Sequence, residues 1–472
     1  MFTIFNEELA EVARRLRDDH RDFAAGRWDA ARLEAHRVTE LKSTVDYVRA
    51  NSPFYGRQLA DVRTADITSS TGAAWRAVPF TTKDDLRAAQ HDILSRPLSK
   101  AWIFYETTGT TGAATPCPRD NVDSLANNTA LTVHYDTIFR RYGDDQVIGV
   151  SGPTELHAFG DTFGDVCRNL GLAVAKMWPH SPMVGFDRAV AVLRDLGITG
   201  LFCTPGMALS LAKRLHAAGL DPRRDLRVRV LMLTGELASP ELLANIGELW
   251  GARAYNALYA SQEASVLGAA GEDGGLYTAP LINHYEVVDP ATGEPATGTG
   301  DVTLGELVVT SLYQGAKPLV RYRTGDLVRL TRGDAGATLP ADRLEVLGRT
   351  RDELVIGGRR ISGYDLENLL LGHVRGYLDY QVVLDRDESG ADRLSLRLEA
   401  AADEPPRVDP EIADHCRDVL GVEVSVGHDR FGSITGTGAM VSWKAARVVD
   451  NRSGADTDGE TAAAASLASA RT

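Results

Sequence analysis

The sequence has few cysteines and no long apolar run. Its four cysteines form no CxxC pair, and four in a chain of 472 residues do not make a disulfide scaffold. We therefore expect a reducing, cytoplasmic compartment. No stretch approaches the roughly 20 apolar residues that a membrane-spanning helix needs, and the charged start lacks the apolar core of a signal peptide. We expect neither a membrane span nor a secretory signal.

Positive charge is also scarce. The chain has 51 lysines and arginines against 65 aspartates and glutamates, a formal net charge of -14 at pH 7. Proteins that bind nucleic acids or membrane surfaces generally use excess positive charge to contact phosphates, so we expect neither kind of partner. Only seven of the basic residues are lysines. Where this chain uses a lysine, its compact ammonium group is therefore of particular interest.

The rest of the composition is typical of a globular protein with more than one domain. Hydrophobic residues make up 43% and charged residues 25%, both near the usual averages, and the length allows a large domain plus a smaller one. The N-terminal 60 residues have helical patterns, with one helix predicted to stop near Ser52-Pro53. In VPFTTKDDLRAA (78–89), we expect a loop and then a helix capped by Thr81 or Thr82.

From about 145 to 260, short apolar runs alternate with helical patterns. The predicted strands are VIGVSG (147–152), LFCTP (201–205), RVLMLTG (229–235) and ARAYNALY (252–259). Because helices are predicted between them, we expect a mostly parallel sheet covered by helices.

The pattern then changes twice. Residues 275–347 contain short strands with turn signals, which are typical of antiparallel or barrel-like structure. Residues 348–450 have a smaller α/β pattern, and 451–472 are low in bulky apolar residues and predicted to be disordered. The predicted fold is α/β: a large N-terminal domain, 1–347, of mixed α/β subdomains with a small β-barrel-like part, followed by a small α/β C-terminal domain, 348–450.

The segment YETTGTTGAATP (105–116) is the strongest local signal for chemistry. Glycine allows backbone N–H groups to converge on an anion, and threonine hydroxyls add donors. The glycines and threonines of this segment are Thr107, Thr108, Gly109, Thr110, Thr111, Gly112 and Thr115. Such a loop suits a polyphosphate, although it is not the GxxxxGK[ST] loop, because no lysine follows its second glycine. The alternative is a polar surface loop.

Two later segments carry candidate contacts to a nucleotide and a metal ion. In YNALYASQEA (255–264), Tyr259 can place an aromatic face beside a base, and Glu263 can place a carboxylate beside a metal. In VRYRTGDLVRL (320–330), Asp326 follows a glycine at a turn, where a carboxylate can accept two vicinal hydroxyl groups. The alternative interpretations are that Tyr259 is an ordinary core residue and that Glu263 lies on a solvated face.

Two segments of the C-terminal part complete the set. GRTRDELVIGGRRISGYDLE (348–367) has a Gly-Arg turn, a strand, a Gly-Gly turn and a polar connection into a helix. GTGAMVSWKAARVVD (436–450) places one lysine, Lys444, in a glycine-bearing segment near the end of the chain. The alternative for this residue is an ordinary surface lysine.

Taken together and in this order, these segments resemble the ANL superfamily of adenylate-forming enzymes, and most closely its phenylacetate-CoA ligase-like branch. The resemblance extends from about Leu41 to Asp450. YVRANSPFY and PFTTKDDLR are similar to the N-terminal region of that branch, TTGTTGAAT to its phosphate loop, and TGE (234–236) and YASQE to its adenine and metal segments. YRTGD is similar to the ribose segment, GRTRD to the hinge, and VSWKAARVVDNR to the C-terminal segment with the catalytic lysine.

The resemblance implies an enzyme that makes an acyl-adenylate from a carboxylic acid and ATP, with Mg²⁺, and then transfers the acyl group after its small, mobile C-terminal domain rotates. It implies that Lys444 bridges the substrate carboxylate and the α-phosphate, that Glu263 binds Mg²⁺, and that Thr108 contacts phosphate. Tyr259 would stack on adenine and Asp326 would bind the ribose hydroxyls. The implied nucleotide-binding residues are Thr107, Gly109, Thr110, Thr111, Gly235, Glu236, Tyr259, Asp326, Arg349 and Arg360.

The chain departs from the family pattern in three places. Ala113 and Ala114 stand where the phosphate loop usually has Lys-Pro, and we expect altered phosphate handling rather than loss of activity. Ala260 replaces the glycine after the motif tyrosine, and its methyl group should narrow a neighbouring acyl pocket. Arg351 occupies the hinge position, which is usually Asp or Lys. Rotation should survive, since a hinge needs backbone freedom more than a given side chain.

The resemblance implies a small aromatic carboxylic acid as the substrate. The candidate pocket residues are His157, Phe159 and Ala260, and His157 suits either a ring hydroxyl or amino group or a hydrogen-bonded place in the core. The implied acceptor is CoA, or the phosphopantetheine of an acyl or aryl carrier protein. Two other functions stay open: an amide synthetase with an amine acceptor, and a homologue that binds a nucleotide or acyl ligand without catalysis. Whether the chain forms a homodimer is also open.

Overall fold

The structure is a computed structural model that describes residues 7–107, 114–333, 339–401, 404–434 and 446–452. Within these residues the helices are α1 (Glu7–Ala24), α2 (Ala30–Asn51), α3 (Pro53–Gln58), α4 (Ala73–Arg76), α5 (Lys83–Ala89), α6 (Asn121–Phe139), α7 (Ala158–Asn169), α8 (Gly185–Asp195), α9 (Pro205–Ala217), α10 (Pro222–Asp225), α11 (Pro240–Trp250), α12 (Gly363–Leu371) and α13 (Ile412–Leu420). Short 3₁₀ turns lie at Thr64–Asp66, Gln90–Ile93, Leu98–Lys100, Arg140–Tyr142 and Thr350–Asp352.

The strands of the same residues are β1 (Ile103–Glu106), β2 (Pro116–Arg119), β3 (Val147–Val150), β4 (Ala173–Lys176), β5 (Gly200–Cys203), β6 (Val230–Thr234), β7 (Arg253–Ser261), β8 (Ser265–Ala270), β9 (Leu276–Thr278), β10 (Asn283–Val288), β11 (Val302–Ser311), β12 (Tyr322–Thr331), β13 (Arg343–Arg349), β14 (Leu354–Ile356), β15 (Arg359–Ile361), β16 (Val374–Arg375), β17 (Asp379–Arg386), β18 (Asp392–Glu399), β19 (Arg407–Val408), β20 (Glu423–Asp429) and β21 (Val448–Asp450).

Local chemistry explains where two N-terminal helices begin and end. Helix α2 ends at Asn51, just before Pro53, which has no N–H to continue the helical hydrogen bonds. Helix α5 begins after Thr82, whose hydroxyl accepts the backbone N–H of Asp85 at 3.2 Å while the Asp85 carboxylate accepts the backbone N–H of Thr82 at 2.8 Å. Both boundaries confirm the sequence predictions. The capping box also makes Lys83 the first residue of α5.

The chain divides into two compact units. The first comprises Met1–Asp144, Pro153–Leu172 and Leu258–Glu345, and the second comprises Asp145–Gly152, Ala173–Ala257 and Val346–Thr472. The predicted boundary at 347/348 is a different kind of division, between a large domain and a small one that rotates, and it stays a proposal. No described helix combines the length and the apolar character needed to cross a membrane.

Antiparallel strands dominate the first unit. Strands that lie wholly or partly in it follow the order β10-β11-β12-β13-β9-β8-β7, and β10 with β11, β11 with β12, and β8 with β9 are antiparallel pairs. Helix α6 packs against α1, α7 and β8. The antiparallel character predicted for residues 275–347 is therefore confirmed, and the closure of these strands into a barrel stays a prediction.

The second unit contains the predicted parallel strands. β4, β3, β5 and β6 are neighbours in that order and run parallel, with α8, α9 and α11 in the connections. Its C-terminal part adds a mixed sheet in the order β20-β18-β17-β21 and the helices α12 and α13. Buried residues from both parts, such as Leu231, Leu366 and Leu396, form one hydrophobic cluster. The predicted α/β class is confirmed.

Candidate active site

The predicted phosphate loop is attached to a β-hairpin of the first unit. Strands β1 and β2 pair antiparallel from Glu106 and Pro116 outward. At the mouth of the loop, the Thr107 N–H donates to the Thr115 carbonyl at 3.2 Å, and the Thr115 N–H donates to the Thr107 hydroxyl at 3.0 Å. The remaining loop residues of the sequence prediction, Thr108, Gly109, Thr110, Thr111 and Ala113, lie outside the described residues. Of the predicted loop contacts, the described structure therefore places Thr107.

Tyr259 and Asp326 meet in the first unit although 67 residues separate them. The Tyr259 hydroxyl donates to Asp326 Oδ2 at 2.5 Å. Gly325 has φ +75°, a conformation that favours glycine, and its N–H donates to the Glu306 carboxylate at 3.1 Å. Burial of the phenol, helped by the Asp326 carboxylate, raises the pKa of Tyr259 well above its usual value. The residues predicted to contact adenine and ribose are thus adjacent, and the neutral Tyr259 donates a hydrogen bond to the Asp326 carboxylate.

Glu263 lies in the short connection from β7 to β8 and is only 7% exposed. Its Oε1 is 3.1 Å from the Lys83 ammonium nitrogen. Burial by itself would raise the pKa of Glu263, but the ammonium groups of Lys83 and Lys317 hold it below its usual value. Glu263 is therefore a buried carboxylate that stays ionised at neutral pH. Ala260, close by on β7, is exposed at an irregularity in the β7–β8 pairing.

A single ionised carboxylate fits the Mg²⁺ that the sequence resemblance implies. Mg²⁺ usually keeps several waters and is bound by one or two carboxylates together with substrate phosphates. In the described part of the chain, no group of three or more His, Cys, Asp or Glu side chains is placed to hold a metal ion by itself. Glu263 suits a shared site of this kind, in which the nucleotide supplies the other ligands.

The two lysines near Glu263 were not among the site residues predicted from the sequence. Lys83 begins α5, and Lys317 precedes β12 with its Nζ 3.3 Å from the Cys117 sulfur. The scarcity of lysine was a signal that pointed to both of them. That signal could not place either one beside Glu263, because the three residues lie on separate segments of the chain.

His157 and Phe159, the predicted pocket residues, lie at the start of α7. His157 Nδ1 accepts the backbone N–H of Phe159 at 3.2 Å. Burial, helped by the Arg119 guanidinium, lowers the pKa of His157 to about 4. His157 is therefore neutral at pH 7, and its proton is on Nε2. Phe159 is buried and packs edge-to-face on Phe163, with ring centroids 4.9 Å apart.

Gly235 and Glu236 belong to the second unit and follow β6. Gly235 has φ +85°, which favours glycine at this turn. Glu236 Oε2 accepts the backbone N–H of Gly206 at 2.8 Å, in the first turn of α9. Burial raises the pKa of Glu236 despite the nearby Arg447 guanidinium. In this structure Glu236 thus stabilises a helix N-terminus, and its predicted adenine contact stays a prediction.

The three predicted arginines of the C-terminal part, also in the second unit, are exposed. Arg349 ends β13, Arg351 lies in the 3₁₀ turn that follows, and Arg360 lies on β15. Arg360 has a long ion pair with Glu353 at 3.8 Å. Arg351 has a long ion pair with Asp352 at 3.7 Å. The predicted catalytic residue Lys444 lies outside the described residues.

Comparison with known proteins gives the following relatives. No family model matches the chain. The chain is 28% identical over 439 residues to the phenylacetate-coenzyme A ligase of Pseudomonas putida, covering 89% of this chain and 94% of that protein. It is 30% identical over 383 residues to the phenylacetate-coenzyme A ligase of Thermus thermophilus, covering 78% and 82%. Its fold is similar to the crystal structure of a 2-hydroxyisobutyryl-CoA ligase in the postadenylation state, with a TM-score of 0.70, 23% identity, and coverage of 94% of this chain and 93% of that chain.

Proposed function

Because the chain belongs to the phenylacetate-CoA ligase-like branch of the ANL superfamily of adenylate-forming enzymes, we propose that it activates an aromatic carboxylic acid with ATP and passes the acyl group to a thiol. The overall reaction, without the identity of the acid, follows from family membership. The chain is an AMP-forming acid–CoA ligase, which converts a carboxylic acid and ATP to an acyl-adenylate and then to a thioester. The aromatic substrate, the choice of thiol and the residue roles are the proposal.

The observation that carries the proposal is the contact between Tyr259 and Asp326. These side chains come from two motif segments and meet at 2.5 Å. In the proposed site, the Tyr259 ring stacks on adenine, and the Asp326 carboxylate accepts the ribose hydroxyls. The hydrogen bond from Tyr259 orients Asp326 before the nucleotide arrives, so less conformational freedom is lost on binding.

Glu263, in the same unit, is the proposed carboxylate ligand for Mg²⁺. When bound with the nucleotide, this ion offsets negative charge on the phosphates. Burial of Glu263 excludes water, and the neighbouring ammonium groups keep the carboxylate ionised. Lys444 is proposed to contact the α-phosphate and the attacking carboxylate, where a fixed positive charge is most effective.

Two features support an aromatic acid. The relatives that span most of the chain are named phenylacetate-coenzyme A ligases. In this chain, the neutral His157 directs Nε2–H away from the Phe159 N–H that its Nδ1 accepts. A neutral imidazole donor suits a hydroxyl group on an aromatic ring better than it suits a second carboxylate, which would favour a cation.

The first proposed acceptor is CoA, and the second is the phosphopantetheine of a carrier protein. Both present the same thiol, so one active site can serve either. The homodimer stays a hypothesis, which light scattering of the purified chain would test.

The test is acid-dependent release of pyrophosphate from ATP across a panel of phenylacetate, benzoate, hydroxylated aryl acids, aliphatic acids and amino acids. We expect turnover with aryl acids and little with the others. Adding CoA, then a phosphopantetheinylated carrier protein, then amines would identify the acceptor. Pyrophosphate release that is strongest with an aliphatic or amino acid would overturn the assignment of an aromatic substrate. An amide product formed without a thioester would overturn the assignment of a thiol as the acceptor.

A further inference from the structure

Lys317 is a buried lysine with an unusually poor partner. It is 7% exposed, and its ammonium nitrogen lies 3.3 Å from the Cys117 sulfur. Among the described residues, this sulfur is its only hydrogen-bond acceptor, and a thiol accepts hydrogen bonds weakly. Burying an ammonium group is costly unless an anion or several oxygen acceptors compensate. The position of Lys317 therefore calls for a further acceptor.

The turn that carries Lys317 is held in place by α6. The Asp123 carboxylate accepts the Ala316 N–H at 2.8 Å. Gly315 is so close to Asp123 that an added Cβ would lie 1.8 Å from Oδ1, which only glycine avoids. Asp123 is itself fixed by the capping box at the start of α6, where it accepts the Asp120 N–H at 2.8 Å. These contacts position the lysine through its backbone and do not involve its ammonium group.

Basic side chains other than Lys317 lie close to Glu263 and to the β1–β2 hairpin. The Lys83 ammonium nitrogen lies 3.1 Å from Glu263 Oε1. Arg119 is also 7% exposed and lies over the Tyr105 ring, 5.2 Å from its centroid. The carboxylates in these surroundings are Glu263, Asp123, which accepts the Ala316 N–H, and Asp161, which accepts the Tyr105 hydroxyl at 3.1 Å. Among the described residues, none of the three accepts a hydrogen bond from Lys317.

The neighbouring loop supplies a second unsatisfied donor. Thr115 is fully buried, and its hydroxyl has no hydrogen-bond partner among the described residues. The Cys117 thiol, which contacts Lys317, also donates to the Thr115 carbonyl at 3.4 Å. A buried hydroxyl without a partner costs about 1–3 kcal/mol, so such groups are expected where a ligand completes them.

We propose that Lys317 binds an anionic oxygen of the reactants beside Glu263, either a phosphate oxygen of ATP or the carboxylate of the acid. In this role Lys317 supplies a cation that the phosphate loop lacks, since Ala113 stands where the family usually has lysine. The inference rests on the proposed function, because it assigns the ligand to that reaction.

The test compares Lys317→Met with the wild type by calorimetric titration of ATP, adenosine and phenylacetate. Methionine keeps the length of the side chain and removes its charge. Loss of a charge-assisted hydrogen bond should weaken binding on the order of 10- to 100-fold. Weaker ATP binding with unchanged adenosine binding would assign the lysine to phosphate, and weaker phenylacetate binding would assign it to the acid. If neither ATP nor phenylacetate binds more weakly, the proposal is wrong.

Two controls show whether a weaker affinity comes from the loss of this ammonium group. Lys100→Met makes the same change at an exposed lysine and should leave all three affinities unchanged. The melting temperature of unliganded Lys317→Met is measured beside that of the wild type, so that affinities are compared only where the variant is folded at the temperature of the titration. If the methionine variant does not fold, Lys317→Gln is titrated against the same criteria. Wild-type chain without acid-dependent pyrophosphate release would refute the proposed function, whereas active wild type with unchanged affinities in the variant would refute only the role of Lys317.

Discussion

Replacing Asp326 with asparagine should weaken ATP binding about 30- to 150-fold. Asparagine keeps the shape of the side chain, and its carbonyl oxygen can still accept the Tyr259 hydroxyl, which now donates to Oδ2 at 2.5 Å. The fold should therefore be retained. A hydrogen bond to an ionised acceptor is worth about 1.5–3 kcal/mol and a neutral one about 0.5–1.5 kcal/mol. For two ribose hydroxyls the difference is roughly 2–3 kcal/mol, which corresponds to the stated change in affinity.

The assay is calorimetric titration with ATP, 2′-deoxy-ATP and 3′-deoxy-ATP. The wild type should lose affinity when either hydroxyl is missing, and Asp326→Asn should discriminate much less. Asp61→Asn makes the same chemical change at an exposed position and serves as the matched control. An Asp326→Asn protein that binds ATP as tightly as the wild type, or that rejects both deoxy nucleotides as strongly, would refute the ribose assignment.

Three further predictions concern other groups. Glu263→Gln should raise the Mg²⁺ concentration needed for adenylation and leave the fold intact, since one metal-facing charge is lost while the shape is kept; equal activity at limiting Mg²⁺ would remove Glu263 from the site. Lys444→Ala should lower kcat of adenylation about 10²–10³-fold and leave thioester formation from preformed acyl-adenylate nearly normal, as measured by the two half-reactions separately. Burial, helped by His20, lowers the pKa of His134 from 6.5 to about 4. Between these pH values the unfolded chain therefore binds more protons than the folded chain, and the free energy of unfolding falls as the pH drops, by up to roughly 3 kcal/mol below pH 4. His134→Leu should remove this part of the pH dependence, and equal pH dependence of stability in the wild type and the variant would contradict the prediction.

Much of the fold and of the motif set could be predicted from the sequence because the signals are local. The capping box of Thr82 and Asp85 and the helix stop before Pro53 each depend on residues within one turn of each other. The alternation of apolar runs and helical patterns from 145 to 260 likewise predicts a parallel sheet, and it does so without information on how this segment packs against the rest of the chain. The motif segments containing Tyr259, Glu263 and Asp326 were also recognisable from residue types and order alone.

The pairing of polar side chains from distant parts of the chain was decided only by the tertiary structure. Tyr259 and Asp326 are 67 residues apart, and Lys317 contacts Cys117 across 200 residues. Which side chains converge depends on strand register, on the path of each turn, and on contacts such as that of Asp123 with the backbone before Lys317. A short sequence pattern contains none of this information, because a one-residue change in the register of β7 or β12 would point Tyr259 or Asp326 to the opposite face of the sheet. Glu263 is an ionised, ligand-ready carboxylate for the same reason: burial sets the cost of its charge, and lysines from distant segments compensate that cost.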